Sequence, residues 1–190
     1  EAAARLDVAV EYYERAGAHA QERTANEEAV SHFTKAIELL DGEGDSGEDR
    51  LELALQLALG ASLTAVRGYA HPERQQAGER ARALAQRVED PTLLGRASIG
   101  VSISECTSGA MESARSIALR VLSNASAMND EELCLHAHSQ VALPEYYQGR
   151  FSSSLRHCNR AVDLYDPARH HAAAFLIGGD TGLSAMGVSA

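Results

Sequence analysis

Apolar and small side chains recur along most of the chain at the three- and four-residue spacing of a helix face, with charged residues between them. "RLDVAVEYYERAGAHAQER" reads as a first helix and "NEEAVSHFTKAIELLD" as a second. Asn26 or Thr24 is placed to cap the latter, with Glu27 and Glu28 in its first turn. "EDRLELALQLALGASLTAVRGY" predicts a third helix. Pro72 then opens "PERQQAGERARALAQRVED" at a position where its missing N–H has no helical partner to lose. Asp90-Pro91 repeats that start before "TLLGRASIGVSISECTS". "MESARSIALRVLSNASAM" follows around Gly109. "DEELCLHAHSQVALPEYYQ" and "SSSLRHCNRAVDLYD" form another pair around Gly149, and Asp166-Pro167 closes it.

Pair after pair at a similar interval predicts a solenoid. Aligning the pairs places small residues wherever two helices would touch. The first close-contact position, in the first helix of each pair, holds Gly17, Ala65, Ser102 and Ala142. The second, in the partner helix, holds Ala29, Ala77, Ala114 and Ser154, and a third holds Ala36, Leu84, Val121 and Ala161. Small side chains let helix axes approach closely. This is the tetratricopeptide (TPR) pattern in degenerate form. The expected fold class is all-α, a TPR-like α-solenoid of antiparallel helix pairs wound as a right-handed superhelix. The expected organisation is a single domain over 1–190, with repeats at approximately 3–41, 48–89, 91–128 and 130–166 and the start of a further repeat at 168–190. A first residue other than Met and a final "GLSAMGVSA" predict a piece excised from a longer protein.

Composition narrows the function classes. The chain has 190 residues, is 45% hydrophobic with 5% aromatic residues and no Trp, and carries a formal net charge of −10. Its apolar content is mostly Ala and Leu, good helix formers. An acidic surface repels phosphate backbones and anionic lipid, so nucleic acid and membranes are not expected as direct partners. Three cysteines, Cys106, Cys134 and Cys158, are too few and odd in number for a disulfide framework, which points to reduced thiols in the cytoplasm.

Two patterns invite chemistry. Gly42, Gly44 and Gly47 have the G-x-G-x-x-G spacing of a dinucleotide loop. A helix precedes them, however, and Asp41, Glu43, Asp45, Glu48 and Asp49 would repel a phosphate. The expectation is a solvated acidic loop over 41–49, without EF-hand spacing for calcium. Cys134 and His138 share a helix face, and His157 and Cys158 lie on the partner helix, so four zinc ligands could meet there. Cys158 also sits where a TPR packs an apolar residue, and helix packing is the preferred reading. Pro144 inside a helical pattern predicts a bend. No nucleophile elbow, H-E-x-x-H or carboxylate pair stands out, so no catalytic residue, cofactor or metal is expected.

The chain also resembles the TPR-like region of large bacterial signalling ATPases, which carry an AAA-type or related NTPase module and often an adenylate or guanylate cyclase domain. "AVEYYERAGAHAQERTANEEAVSHFTKAIELL", "RLELALQLALGASLTAVRGYAHPE" and "VDLYDPARHHAAAFLIGGDTGLSAMG" carry the resemblance, with His19, Thr24 and Ser154 as departures from it. It implies that cyclase or ATPase chemistry lies outside this segment, whose own role is sensing, docking or regulation. The alternative is the effector-sensing repeat domain of an NTPase-linked transcription activator of the maltose-regulon type. In TPR stacks the first helices line the concave face. Counting equivalent offsets from Val10, Ala58, Gly95 and Leu135 selects Glu11, Glu14, Ser62, Tyr69, Arg96, Ile103, His136, Ser139 and Tyr146 as candidate contacts for a protein or peptide.

Overall fold

In a computed structural model, residues 2–40 and 46–170 are described, and all regular structure among them is helical. The helices are α1 (Ala2–Glu22), α2 (Asn26–Leu39), α3 (Ser46–Arg67), α4 (Pro72–Val88), α5 (Pro91–Thr107), α6 (Met111–Met128), α7 (Glu131–Tyr147), α8 (Phe151–Leu164) and the single turn α9 (Pro167–His170). The chain divides into two compact units, the first running to Glu89 and the second starting at Asp90. Within each unit consecutive helices pack in series as two pairs.

Local chemistry sets most helix boundaries. The Asp90 side chain accepts hydrogen bonds from the Thr92 and Leu93 amides ahead of Pro91, and Asp130 accepts from the Leu133 amide. These caps satisfy donors that have no partner inside the helix. Gly109 (φ 89°) and Gly149 (φ 73°) take the left-handed conformation at the turns within the last two pairs. In the first pair Thr24 adopts that conformation, with φ 57°. The expected caps on α2 do not form. Ala25 holds the cap position without a side-chain bond, Asn26 is already helical, and Thr24 Oγ1 donates to the Arg23 carbonyl. Thr24 stands one residue ahead of the cap position that Ala25 holds, with its hydroxyl bonded to the Arg23 carbonyl.

The small-residue seams account for the pairing. In the first unit, a Cβ on Gly17 would stand 2.6 Å from the Phe33 ring, so only glycine admits that ring between α1 and α2. Phe33 is buried with Val10, Ala20, Ala29, Ala36 and Leu55. In the second unit, Ser102 Oγ donates to the Ala114 carbonyl at 2.9 Å, and Ser154 Oγ to the Ala142 carbonyl at 2.8 Å. Each serine is small enough for the seam and takes its hydrogen bond from the opposing helix.

The seam fails once. Ala65, aligned to the first close-contact position, is exposed, whereas Ala61 and Thr64 are buried. The connection between α3 and α4, residues 68–71, is one residue longer than the three-residue turns of the other pairs. One residue corresponds to about 100° of helix rotation, which turns Ala65 outward and Thr64 inward. The acidic loop is also shorter than expected. α3 begins at Ser46, so Gly47, Glu48 and Asp49 are helical and the two carboxylates occupy its first turn. Negative charge is favoured at that end of a helix. Asp49 is buried against Arg87, 3.0 Å away. Gly42, Gly44 and the other residues of 41–45 lie outside the described residues, as does the proposed further repeat beyond His170.

Pro144 is buried inside α7, which continues through it to Tyr147. No helix among the described residues is long and apolar enough to cross a membrane.

Candidate interaction surface

The nine residues selected from the sequence fall into exposed and buried groups. In the first unit, Glu11 is exposed on α1, 3.9 Å from Arg15 one turn on, and Glu14 is half-buried. Glu11 lines an open groove of about 750 Å³ together with Val8, Tyr12, Arg15 and His19. Tyr69 is exposed just past α3, with the buried Arg74 guanidinium 5.8 Å from its ring centroid. Ser62 is fully buried. Its Oγ accepts from Gln21 Nε2 at 2.9 Å and donates to the Ala58 carbonyl at 3.1 Å, so its hydroxyl joins α1 to α3.

In the second unit α5 and α7 lie side by side because Gly95 lets them. A Cβ there would meet Leu133 Cδ2 at 2.4 Å. The approach brings two of the selected residues onto one carboxylate. Arg96 Nη2 lies 3.3 Å from Glu132 Oε1, and His136 Nε2 lies 3.9 Å from the same oxygen. Arg96 is half-exposed, but His136 is buried. Burial pushes the His136 imidazole down to about 4, against the opposing pull of Glu132 and with Arg96 adding to the shift, so the ring is neutral at pH 7. Ile103 packs partly buried against Ile99, Val121 and Leu133, and Ser139 is buried. Tyr146 is exposed at the end of α7.

Of the selected set, Ser62, His136 and Ser139 are therefore interior residues, while Glu11, Tyr69, Arg96 and Tyr146 reach solvent. Those offsets face inward in a stack whose first helices present open inner faces. Here the close approach of α5 to α7 and the Gln21–Ser62 bond between α1 and α3 close part of those faces.

The suspected zinc ligands divide in the same way. His138 and His157 meet across α7 and α8, but Cys158 is a core residue and Cys134 Sγ lies 3.7 Å from Ser126 Oγ. Among the described residues no three His, Cys, Asp or Glu side chains form a group that could hold a metal ion. What sequence reasoning missed are ion pairs between helices. Arg80 grips Glu52 with Nε at 2.7 Å and Nη2 at 2.6 Å, and Arg115 Nε lies 3.0 Å from the buried Glu145. Nothing in the local pattern marks them, because the partners lie 28 and 30 residues apart.

The structure resembles the crystal structure of aspartyl phosphate phosphatase F from Bacillus subtilis, with a TM-score of 0.69 at 15% sequence identity. The likeness covers 97% of this chain and 49% of that one. The fold is all-helical and TPR-like. At this identity the likeness establishes the fold alone, and the chain spans about half the length of that protein. No protein-family model matches the chain, and no curated protein matches it.

Proposed function

We propose that this chain is a non-catalytic protein-interaction module that docks a protein or peptide through the solvent-facing residues of its first helices. The observation that carries this reading is the contrast on those helices. Their seams are closed by Gly17, Ser102 and Ala142, while Glu11, Arg96 and Tyr146 project outward from them, and Tyr69 from the turn just past α3, as charged and aromatic side chains. A few aromatic and arginine anchors among polar neighbours supply most of the binding energy at protein interfaces. The TPR-like fold supports it, since stacked helix pairs generate extended binding surfaces.

The resemblance to signalling ATPases extends the proposal. The parent is a cytoplasmic NTPase or nucleotide cyclase in which this region regulates or docks the catalytic module. The rival parent is an NTPase-linked transcription activator, recognisable by a helix-turn-helix in the same gene. The test is calorimetric titration of this chain with the other domains encoded by its gene. Replacing Glu11, Tyr69 and Arg96 together by Ala should preserve helix content and weaken association at least about tenfold, or about 1.4 kcal/mol. Unchanged affinity would overturn the assignment of these faces.

A further inference from the structure

The corner where α7 turns into α8 carries a cluster of exposed apolar side chains. Tyr146, Tyr147, Phe151 and Leu155 are 45%, 65%, 61% and 47% exposed. The Tyr146 ring packs edge-on against Tyr147 at 5.7 Å and against Phe151 at 5.6 Å. Leu155 follows Phe151 by one helical turn and so shares its face. Scattered exposed apolar residues are ordinary, but a contiguous cluster marks a place where something docks.

Charge selects the occupant. The chain as a whole carries −10, yet from Arg150 to Leu164 it has three arginines against one acid, Asp163. Arg160 is 3.7 Å from Asp163. Arg150 and Gln148 both reach Glu112, at 3.4 and 3.1 Å, so the corner already holds one carboxylate. Arg156 is different. Its guanidinium bonds back along α8, to the Ser152 carbonyl at 3.2 Å and Ser153 Oγ at 3.1 Å. Among the described residues no carboxylate forms an ion pair with it.

We infer that this corner is a docking site for an acidic segment with aliphatic or aromatic anchors, its apolar side chains covering Tyr147, Phe151 and Leu155 and its carboxylates reaching Arg156 and Arg150. The inference rests on the reading of the chain as a protein-interaction module and names the partner's chemistry at one place on it. A basic segment would be drawn to the acidic remainder of the chain instead. A second copy docking corner to corner would set these arginines against their own counterparts, like charge against like. Arginine suits the role because its planar fork can grip a carboxylate with two donors while its face lies on an aromatic ring.

The probe is a synthetic helical peptide with Leu at every third or fourth position and Glu elsewhere. It is compared by fluorescence anisotropy with one peptide carrying Lys for Glu and another carrying Ala for Leu. The Glu/Leu peptide should bind best, and its affinity should fall as salt rises, because exposed charges are screened within about a Debye length. Arg156→Glu alone, and Arg156→Glu with Phe151→Ser, should each weaken it by about tenfold or more with circular dichroism unchanged. The Glu11, Tyr69 and Arg96 triple variant should bind the peptide as the original does. Equal affinity for the Lys peptide, no binding of the Glu/Leu peptide, or binding indifferent to Arg156 and Phe151 would overturn the inference. So would self-association of the chain that Phe151→Ser abolishes, since the occupant would then be a second copy. Loss of peptide binding only in the Glu11, Tyr69 and Arg96 variant would refute the corner while leaving the interaction-module reading intact.

Discussion

His138 and His157 meet Nδ1 to Nδ1 at 2.8 Å between α7 and α8, with ring centroids 5.1 Å apart. Such a contact requires one ring to donate and the other to accept, so the two cannot both be protonated. Burial lowers His138 to about 4, and the neighbouring His157 and Arg160 add to the shift. His157 is lowered first by burial, with Glu145 opposing and Arg156 and Arg115 adding. The ordinary value is 6.5, so between pH 6.5 and about 4 the unfolded chain binds protons that the folded chain refuses. The contribution of the pair is complete above pH 6.5 and is lost as pH falls toward 4. Urea midpoints should therefore drop across that window, and His138→Asn should flatten the drop. An identical pH profile in the variant would show that the pair does not titrate this way. His136, also lowered to about 4, is left in place as a common background.

Glycines of two kinds should respond oppositely to substitution. Gly17→Leu forces side-chain atoms into the Phe33 ring and should destabilise by about 1–3 kcal/mol. Gly78, inside α4, has nothing within 4 Å of an added Cβ, so Gly78→Ala should stabilise by about 0.4–1 kcal/mol. Thermal or chemical denaturation of both variants checks the pair, and a stable Gly17→Leu protein would contradict the close seam.

The Glu52–Arg80 pair joins α3 to α4. Glu52 is buried, but the Arg80 side chain is 38% exposed, so solvent discounts what the pair contributes. Glu52→Ala should cost about 1–2 kcal/mol, less than the loss from breaking a fully buried pair. Burial works against the Glu52 charge, yet the hydrogen bond and charge of Arg80 outweigh it and hold the carboxyl below its usual 4.5. The stabilisation is present above pH 4.5 and fades as acid protonates the folded carboxyl. Unfolding curves of the variant and the original should converge at low pH.

Asp49 is a structural acid in the first turn of α3, and the same turn carries Glu48. Titration with ATP, NAD or calcium should give no heat that depends on Asp49 or Glu48. Asp49→Ala should lower stability by removing its ion pair with Arg87 between α3 and α4. Micromolar ATP binding lost on changing Gly47 would reverse this reading.

The order of helices, the proline starts at Pro72 and Pro91, the turn glycines Gly109 and Gly149, and the small residues at Gly17, Ala29, Ala114 and Ser154 were all legible in the sequence, whereas the cap expected at Asn26 or Thr24 does not form. Each depends on chemistry within a few residues, or on a periodicity that repeats every turn. Which of the counted positions face solvent was legible only in part. Tyr69, Arg96 and Tyr146 reach solvent at the counted offsets, but Ser62, His136 and Ser139 do not. Helical periodicity says which residues share a face and is silent on how closely the next helix covers that face. The approach of α5 to α7 at Gly95, and the extra residue between α3 and α4, decided which side chains were closed in. The pairings Arg80–Glu52, Arg87–Asp49 and Arg115–Glu145 belong wholly to tertiary structure. A chain with many acids and arginines permits many such pairs, and only the rotation and spacing of packed helices bring particular ones within reach.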